Sequence, residues 1–127
     1  MADDGTDKKW PSYTMVDPKM RKIYFRFYQE TYKTSALDRK TKELVAIAAS
    51  LATHCSGCLE GHIRKALKFG ATRDELSETI AITMGVNAAA IVDLTDKASE
   101  ALGIRPFEPD SAPTRADNGD EPARRGE

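Results

Sequence analysis

The stretch ELVAIAASLATHCSGCLEGHIRKALKFGAT, Glu43 to Thr72, decides how this chain folds and where its chemistry sits. Only Ser50 interrupts the apolar run from Leu44 to Ala52, a pattern that predicts a helix buried on nearly every side, opening near Leu37 or Asp38. A further helix is predicted from about Cys55 to the KFGAT segment. Gly70 suits the left-handed residue past a helix end, and Lys65 and Lys68 complement the dipole there. Thr53 and His54 are then the hinge of the reading. If the chain folds back at them, Glu43 lies ~15 Å before the turn and His62 ~10 Å after it, an offset of roughly one helical turn. A Glu side chain, a water or a helix crossing closes that gap. If the two helices form one rod, Glu43 lies ~18 Å from Cys55 and is useless to it.

Within this stretch, HCSGCLEGH from His54 to His62 holds both cysteines and both histidines of the chain. Cys55 and Cys58 stand at i and i+3, so one helical turn puts the thiols on one face. The first sits where unpaired backbone N–H groups favour a thiolate. Ser56 and Gly57 are small and leave the sulfurs accessible. His62 follows Cys58 by four residues, so its imidazole lies one turn along the same face and can exchange a proton with that sulfur. The helix dipole favours Cys55 as the thiolate and His62 favours Cys58, so the spacing leaves open which sulfur attacks first.

Glu43 is a carboxylate on an otherwise apolar helix, on one stripe with Ile47 and Leu51, and a buried carboxylate needs a reason. It is a candidate proton carrier, the plainer reading being a cap on a neighbour or an ion pair with Lys40 or Lys42. His54 reads as a turn residue. Together the four Cys and His side chains are enough in number for a tetrahedral zinc site, but the spacing argues against one. Adjacent His54 and Cys55 diverge, and structural zinc usually joins two separate segments. Leu59 after the second cysteine excludes a haem attachment motif.

The rest of the chain frames these residues. Its 127 residues make one domain. A net charge of −1 and a pI near 6.1 give no global pull toward nucleic acid. The longest apolar runs, LVAIAASLA and MGVNAAAIV, fall short of the ~20 residues of a membrane span. The opening MADDGTDKKW has no apolar core of a secretory signal, so the expectation is a soluble, cytoplasmic protein. In a reducing compartment a lone pair of cysteines is redox-active, catalytic or metal-binding more often than a structural staple.

Residues 1–15 lack periodicity and are read as a flexible segment, with Trp10 and Tyr13 able to dock on the body. Asp17 and Pro18 cap a first helix running to about Lys33, with Met20, Ile23, Phe27 and Tyr28 at helical spacing. Eight basic residues between Lys19 and Lys42 read as a solvated face. Thr72 and Glu75 form a capping box that opens the longest helix, whose Leu76, Ile80, Met84, Asn87, Ile91, Leu94, Ala98 and Leu102 share a face. No segment alternates as a strand would. The helical domain is placed at 16–103. Residues 104–127 hold four of the six prolines and are read as a disordered tail.

The segment ALDRKTKELVAIAASLATHCSGCLEGHIRKALKFGATRDELSETI, Ala36 to Ile80, resembles the carboxymuconolactone decarboxylase and alkylhydroperoxidase D (AhpD) family, in which an acid precedes CxxC and a histidine follows it. The resemblance implies an all-α, AhpD-like helical bundle that assembles into homo-trimers or homo-hexamers. It also implies thiol-dependent reduction of a hydroperoxide substrate, with Glu43 and His62 as a proton relay, Cys58 attacking the peroxide, and Cys55 resolving the product as a disulfide and meeting the external reductant. No cofactor is then bound; an external thiol or dithiol supplies the electrons. Gly57 stands where one branch of the family carries a histidine. The decarboxylase branch does not rely on a CxxC pair, so its chemistry ranks lower, beside a Cys/His metal-binding protein and an oligomeric scaffold without catalysis.

Overall fold

The computed structural model describes residues 12–109, and its regular elements are four helices: α1 (Pro18–Thr31), α2 (Arg39–Ala52), α3 (Ser56–Lys68) and α4 (Arg73–Leu102). The fold is all-α. Three of the four helices start on a polar cap, and α3, whose N-cap is Cys55, has no side-chain cap. The Asp17 carboxylate accepts from the Lys19 N–H, with Pro18 in the first turn of α1, and Asp38 accepts from the Thr41 N–H at the start of α2. Thr72 and Glu75 satisfy each other's backbone N–H groups at the start of α4, at 3.1 and 3.0 Å, the capping box that the sequence predicts.

The ends of α2 and α3 share one device. At the end of α3 the N–H groups of Gly70 and Ala71 return to the carbonyls of Leu67 and Ala66, with Gly70 at φ +89°. At the end of α2 the N–H groups of His54 and Cys55 return to Leu51 and Ser50 in the same pattern, with His54 at φ +56°. The predicted break at Thr53 and His54 is therefore a helix stop built with histidine where glycine is usual. This reverses the chain and lays α3 back along α2, the one pair of helices among the described residues whose backbones run close together.

The core lies between them. Ile47 of α2, Ala66 of α3 and Ala71 of the following turn are buried, with Leu44, Leu51, Leu59, Ile63 and Leu76 packed around them. Side chains bring in the other helices. Lys42 Nζ donates to the carbonyls of Thr31 and Lys33, tying α2 to the end of α1, and Lys65 Nζ donates to Tyr28 Oη at 2.9 Å. Lys40 of α2 pairs with Glu75 of α4 at 2.9 Å. Before α1, Tyr13 packs on Tyr24 and Phe25 at ring-centroid distances of 5.3 Å. The docking expected of Trp10 lies outside the described residues.

Two expectations change. α2 is not buried on nearly every side: Glu43, Ile47 and Ser50 are buried, whereas Val45 is 56% exposed, because one chain supplies cover for only one face. The apolar residues of α4 are likewise uncovered, with Ile82, Met84, Val86, Ile91 and Leu94 each more than half exposed. By length and composition α4 is a helix that could cross a membrane, although neither apolar run in the sequence reaches that length. α4 spans two compact units, residues to Ala88 and residues from Ala89. Within the second, Lys97 pairs with Asp93, and the helix stops at Gly103, where the Ile104 N–H returns to the Ser99 carbonyl. Residues 104–109 are exposed and carry no helix; the rest of the predicted tail, and residues 1–11 of the predicted flexible segment, lie outside the described residues.

Two predictions follow from the caps. His54→Gly removes a left-handed L-residue, which costs ~1–2 kcal/mol, so it is expected to raise unfolding free energy by about 1 kcal/mol in a urea titration. The Lys40 ammonium and the Thr72 N–H hold the Glu75 carboxyl below its ordinary value, and the Thr41 backbone and side chain do the same for Asp38. A depressed carboxyl gives stability that is present above its unfolded value and lost as pH falls through the folded one. Unfolding midpoints are therefore expected to drop as pH falls below about 4, and Glu75→Gln is expected to flatten that drop.

Candidate active site

Glu43 sits one turn into α2 and His62 in the middle of α3, each on the stripe that faces the other helix. Glu43 is fully buried and His62 nearly so. Their side chains meet directly, with His62 Nδ1 2.7 Å from Glu43 Oε2, so no water is needed to close the predicted offset. A carboxylate only accepts. The hydrogen of this contact is therefore on Nδ1, and Nε2 is the nitrogen left to take up a proton.

The other Glu43 oxygen belongs to Arg39. Its Nε and Nη2 both lie 2.9 Å from Oε1, one helical turn back on the same stripe. The alternative pairing with Lys40 or Lys42 does not form: Lys40 goes to Glu75 and Lys42 to the carbonyls of Thr31 and Lys33. The Arg39 guanidinium also lies over the rings of Phe69, at 4.6 Å, and Tyr32, at 5.4 Å. A carboxylate removed from water is tolerable only with such partners, and here both of its oxygens have one.

Tyr32, the residue that ends α1, completes the surroundings. Its ring lies 5.4 Å from the His62 ring at an interplanar angle of 21°, and its hydroxyl is 3.5 Å from Nε2, the outer limit of a hydrogen bond. Burial, then the neighbouring Tyr28 and the Glu43 charge, push the Tyr32 pKa up to about 12, so the phenol stays protonated. The sequence holds a signal for Arg39, the i−4 neighbour of Glu43. It holds none for Tyr32, thirty residues from its partner.

Cys55 is the N-cap of α3 and Cys58 lies in its first turn; the two are joined as a disulfide with Cα atoms 5.3 Å apart. Cys58 is exposed and Cys55 less so. His62 stands four residues after Cys58, one turn along the same helix. Glu43 and His62 thus meet on the facing sides of one helical hairpin, and Cys55 and Cys58 lie at the start of its second helix. His54 is apart from them in role, an exposed residue whose backbone makes the stop.

The carboxymuconolactone decarboxylase family model matches residues 18–102, and the chain belongs to that family. It is 35% identical over 71 residues to "Uncharacterized protein 4 in cox locus" of Paracoccus denitrificans, an alignment covering 56% of this chain and 64% of that protein. Among solved structures, a family member from Legionella pneumophila is 38% identical with a TM-score of 0.52, covering 54% of this chain and 62% of that one. The chain thus spans under two thirds of both relatives. A family member from Thermotoga maritima, for which a role in antioxidative response has been suggested, is 26% identical with a TM-score of 0.55, covering 66% of this chain and 87% of that one.

Removing Arg39 leaves the Glu43 charge buried with one partner fewer. Arg39→Leu is expected to destabilise the fold by about 2–4 kcal/mol in urea unfolding, and the double variant Arg39→Leu, Glu43→Gln by less than Arg39→Leu alone, because the stranded charge is gone.

Proposed function

We propose that this chain is a thiol-dependent peroxidase that reduces hydroperoxides through Cys55 and Cys58, with Glu43 and His62 as its proton relay and no bound cofactor. The observation that supports this most is the direct Glu43–His62 contact, which fixes the hydrogen on Nδ1 and leaves Nε2 as the base on the face that carries Cys58. A relay needs that tautomer.

In the reduced chain His62 Nε2 takes the proton of Cys58, and the thiolate attacks the terminal peroxide oxygen. The O–O bond breaks, the sulfur becomes a sulfenic acid, and the alkoxide leaves with the proton from His62 as an alcohol. Cys55 attacks the sulfenic sulfur and expels water, giving the disulfide present in the structure. An external thiol or dithiol returns two electrons and two protons. The exposure of Cys58 favours it as the sulfur that meets the peroxide. The antioxidative role suggested for the Thermotoga protein agrees with this reading.

Peroxide added to the reduced protein is expected to consume two thiols per chain, which dithiothreitol restores; two thiols still titratable after peroxide would rule the reading out. Turnover with a dithiol donor is expected to vanish in Cys58→Ser and Cys55→Ser and to fall about 10-fold or more in Glu43→Gln, the range of general acid–base contributions.

The working form on this reading is a homo-trimer or homo-hexamer. Among the described residues three buried apolar side chains make a small core, and the uncovered apolar side chains of α4 are the kind of surface that a permanent interface removes from water. Light scattering is expected to give a trimer or hexamer, shifted toward monomer by Met84→Asp. A wild-type monomer at micromolar concentration, or one that partitions into liposomes, would overturn this.

A further inference from the structure

His62 holds its two nitrogens very differently. Nδ1 is bound to Glu43 at 2.7 Å, whereas Nε2 has, among the described residues, the Tyr32 hydroxyl as its partner at 3.5 Å. Nε2 has one lone pair and two groups that can use it. When Cys55 and Cys58 are joined, the sulfur has no proton to give, and the phenol is the donor at that nitrogen. When they are reduced, the Cys58 thiol one turn away competes for the same lone pair.

We propose that Tyr32 is a positioning residue, the reserve partner of His62 Nε2, which holds the imidazole in place while the chain is oxidised and yields it to Cys58 on reduction. This rests on the dithiol reading of the site and names a residue outside the acid, cysteine and histidine set. The long contact suits the role, because a partner at the edge of hydrogen-bonding range is displaced at little cost. So does the protonated phenol, which donates to a neutral Nε2 and, by turning its hydroxyl, accepts from a protonated one without ionising. The ring itself is held independently, against Tyr28 at 4.6 Å and under Arg39. The hydroxyl can therefore lose Nε2 without the ring leaving.

Tyr32 then serves one half of the cycle. In re-reduction a donor thiolate attacks the disulfide, the S–S bond breaks, and its electron pair goes to the departing sulfur. The donor's second thiol displaces the mixed disulfide, and its two protons end on Cys55 and Cys58. An imidazole already held in plane is ready to meet the new Cys58 thiolate. In the peroxide half, Cys58 holds Nε2 and the phenol is idle.

Tyr32→Phe keeps the ring and deletes only the oxygen. In the oxidised protein its His62 ¹⁵Nε2 resonance is expected to move relative to wild type, and in the reduced protein to stay within error. Stopped-flow reduction of the disulfide by dithiothreitol is expected to slow about three- to tenfold, the worth of one hydrogen bond, with oxidation of the dithiol by hydrogen peroxide changed less than twofold. A resonance that moves equally in both states, or two half-reactions slowed alike or not at all, would overturn the proposal. The nitrogen spectra and the dithiothreitol step need no peroxide turnover. A protein that ignores peroxide yet shows the oxidised-state shift would sink the peroxidase reading and keep Tyr32.

Discussion

The buried contact between Glu43 and His62 constrains everything around it. A carboxylate in the middle of a helical hairpin cannot be left alone, because an unpaired charge away from water costs more than a small core supplies. Glu43 and Ile47 are one turn apart on α2, and His62 and Ala66 are one turn apart on α3, so the polar pair and the apolar core lie on the same two stripes. Sliding one helix along the other by a turn would strip the charge of its partner and misalign the core in one movement. The pair therefore sets the register in which the imidazole meets the carboxylate that Arg39 holds.

Much of this was legible in the sequence because it rests on local rules. Asp17, Asp38 and Thr72 with Glu75 each mark a helix start through a backbone N–H that a side chain satisfies, Gly70 marks a helix end through its left-handed φ, and each acts where the sequence places it. The break at Thr53 and His54 was legible as a requirement, since only a folded-back chain brings Glu43 near His62. That histidine would occupy the left-handed position was not, because glycine is the residue normally read as that signal. Of the partners open to Glu43, Lys40 and Lys42 are nearer in sequence, but Arg39, one full turn back, is the residue that reaches it. Tyr32 was out of reach altogether. Its contact depends on how α1 lies against the hairpin, which no spacing within α1 records.

The expectation for α2 failed in an instructive way. Apolar residues on several faces of a helix report that those faces leave water; they do not report what covers them. In this chain one face meets α3, and Val45 on another stays exposed, as do the apolar side chains of α4. The composition of both helices is that of an interior, whereas the surface they present as a single chain is not. The homo-oligomer proposed above would remove this mismatch by covering those faces.

The site also shows why a CxxC motif alone says little. Two cysteines at a helix start gain accessible sulfurs and free backbone N–H groups wherever they occur. What differs here is the treatment of the base: one nitrogen locked by a carboxylate that is itself held by Arg39, the other left with a single loose partner. Locking both would make the histidine structural, and locking neither would let the ring turn. The asymmetry between 2.7 and 3.5 Å fixes a buried ring through one nitrogen and, on the function proposed, leaves the other able to take up a proton.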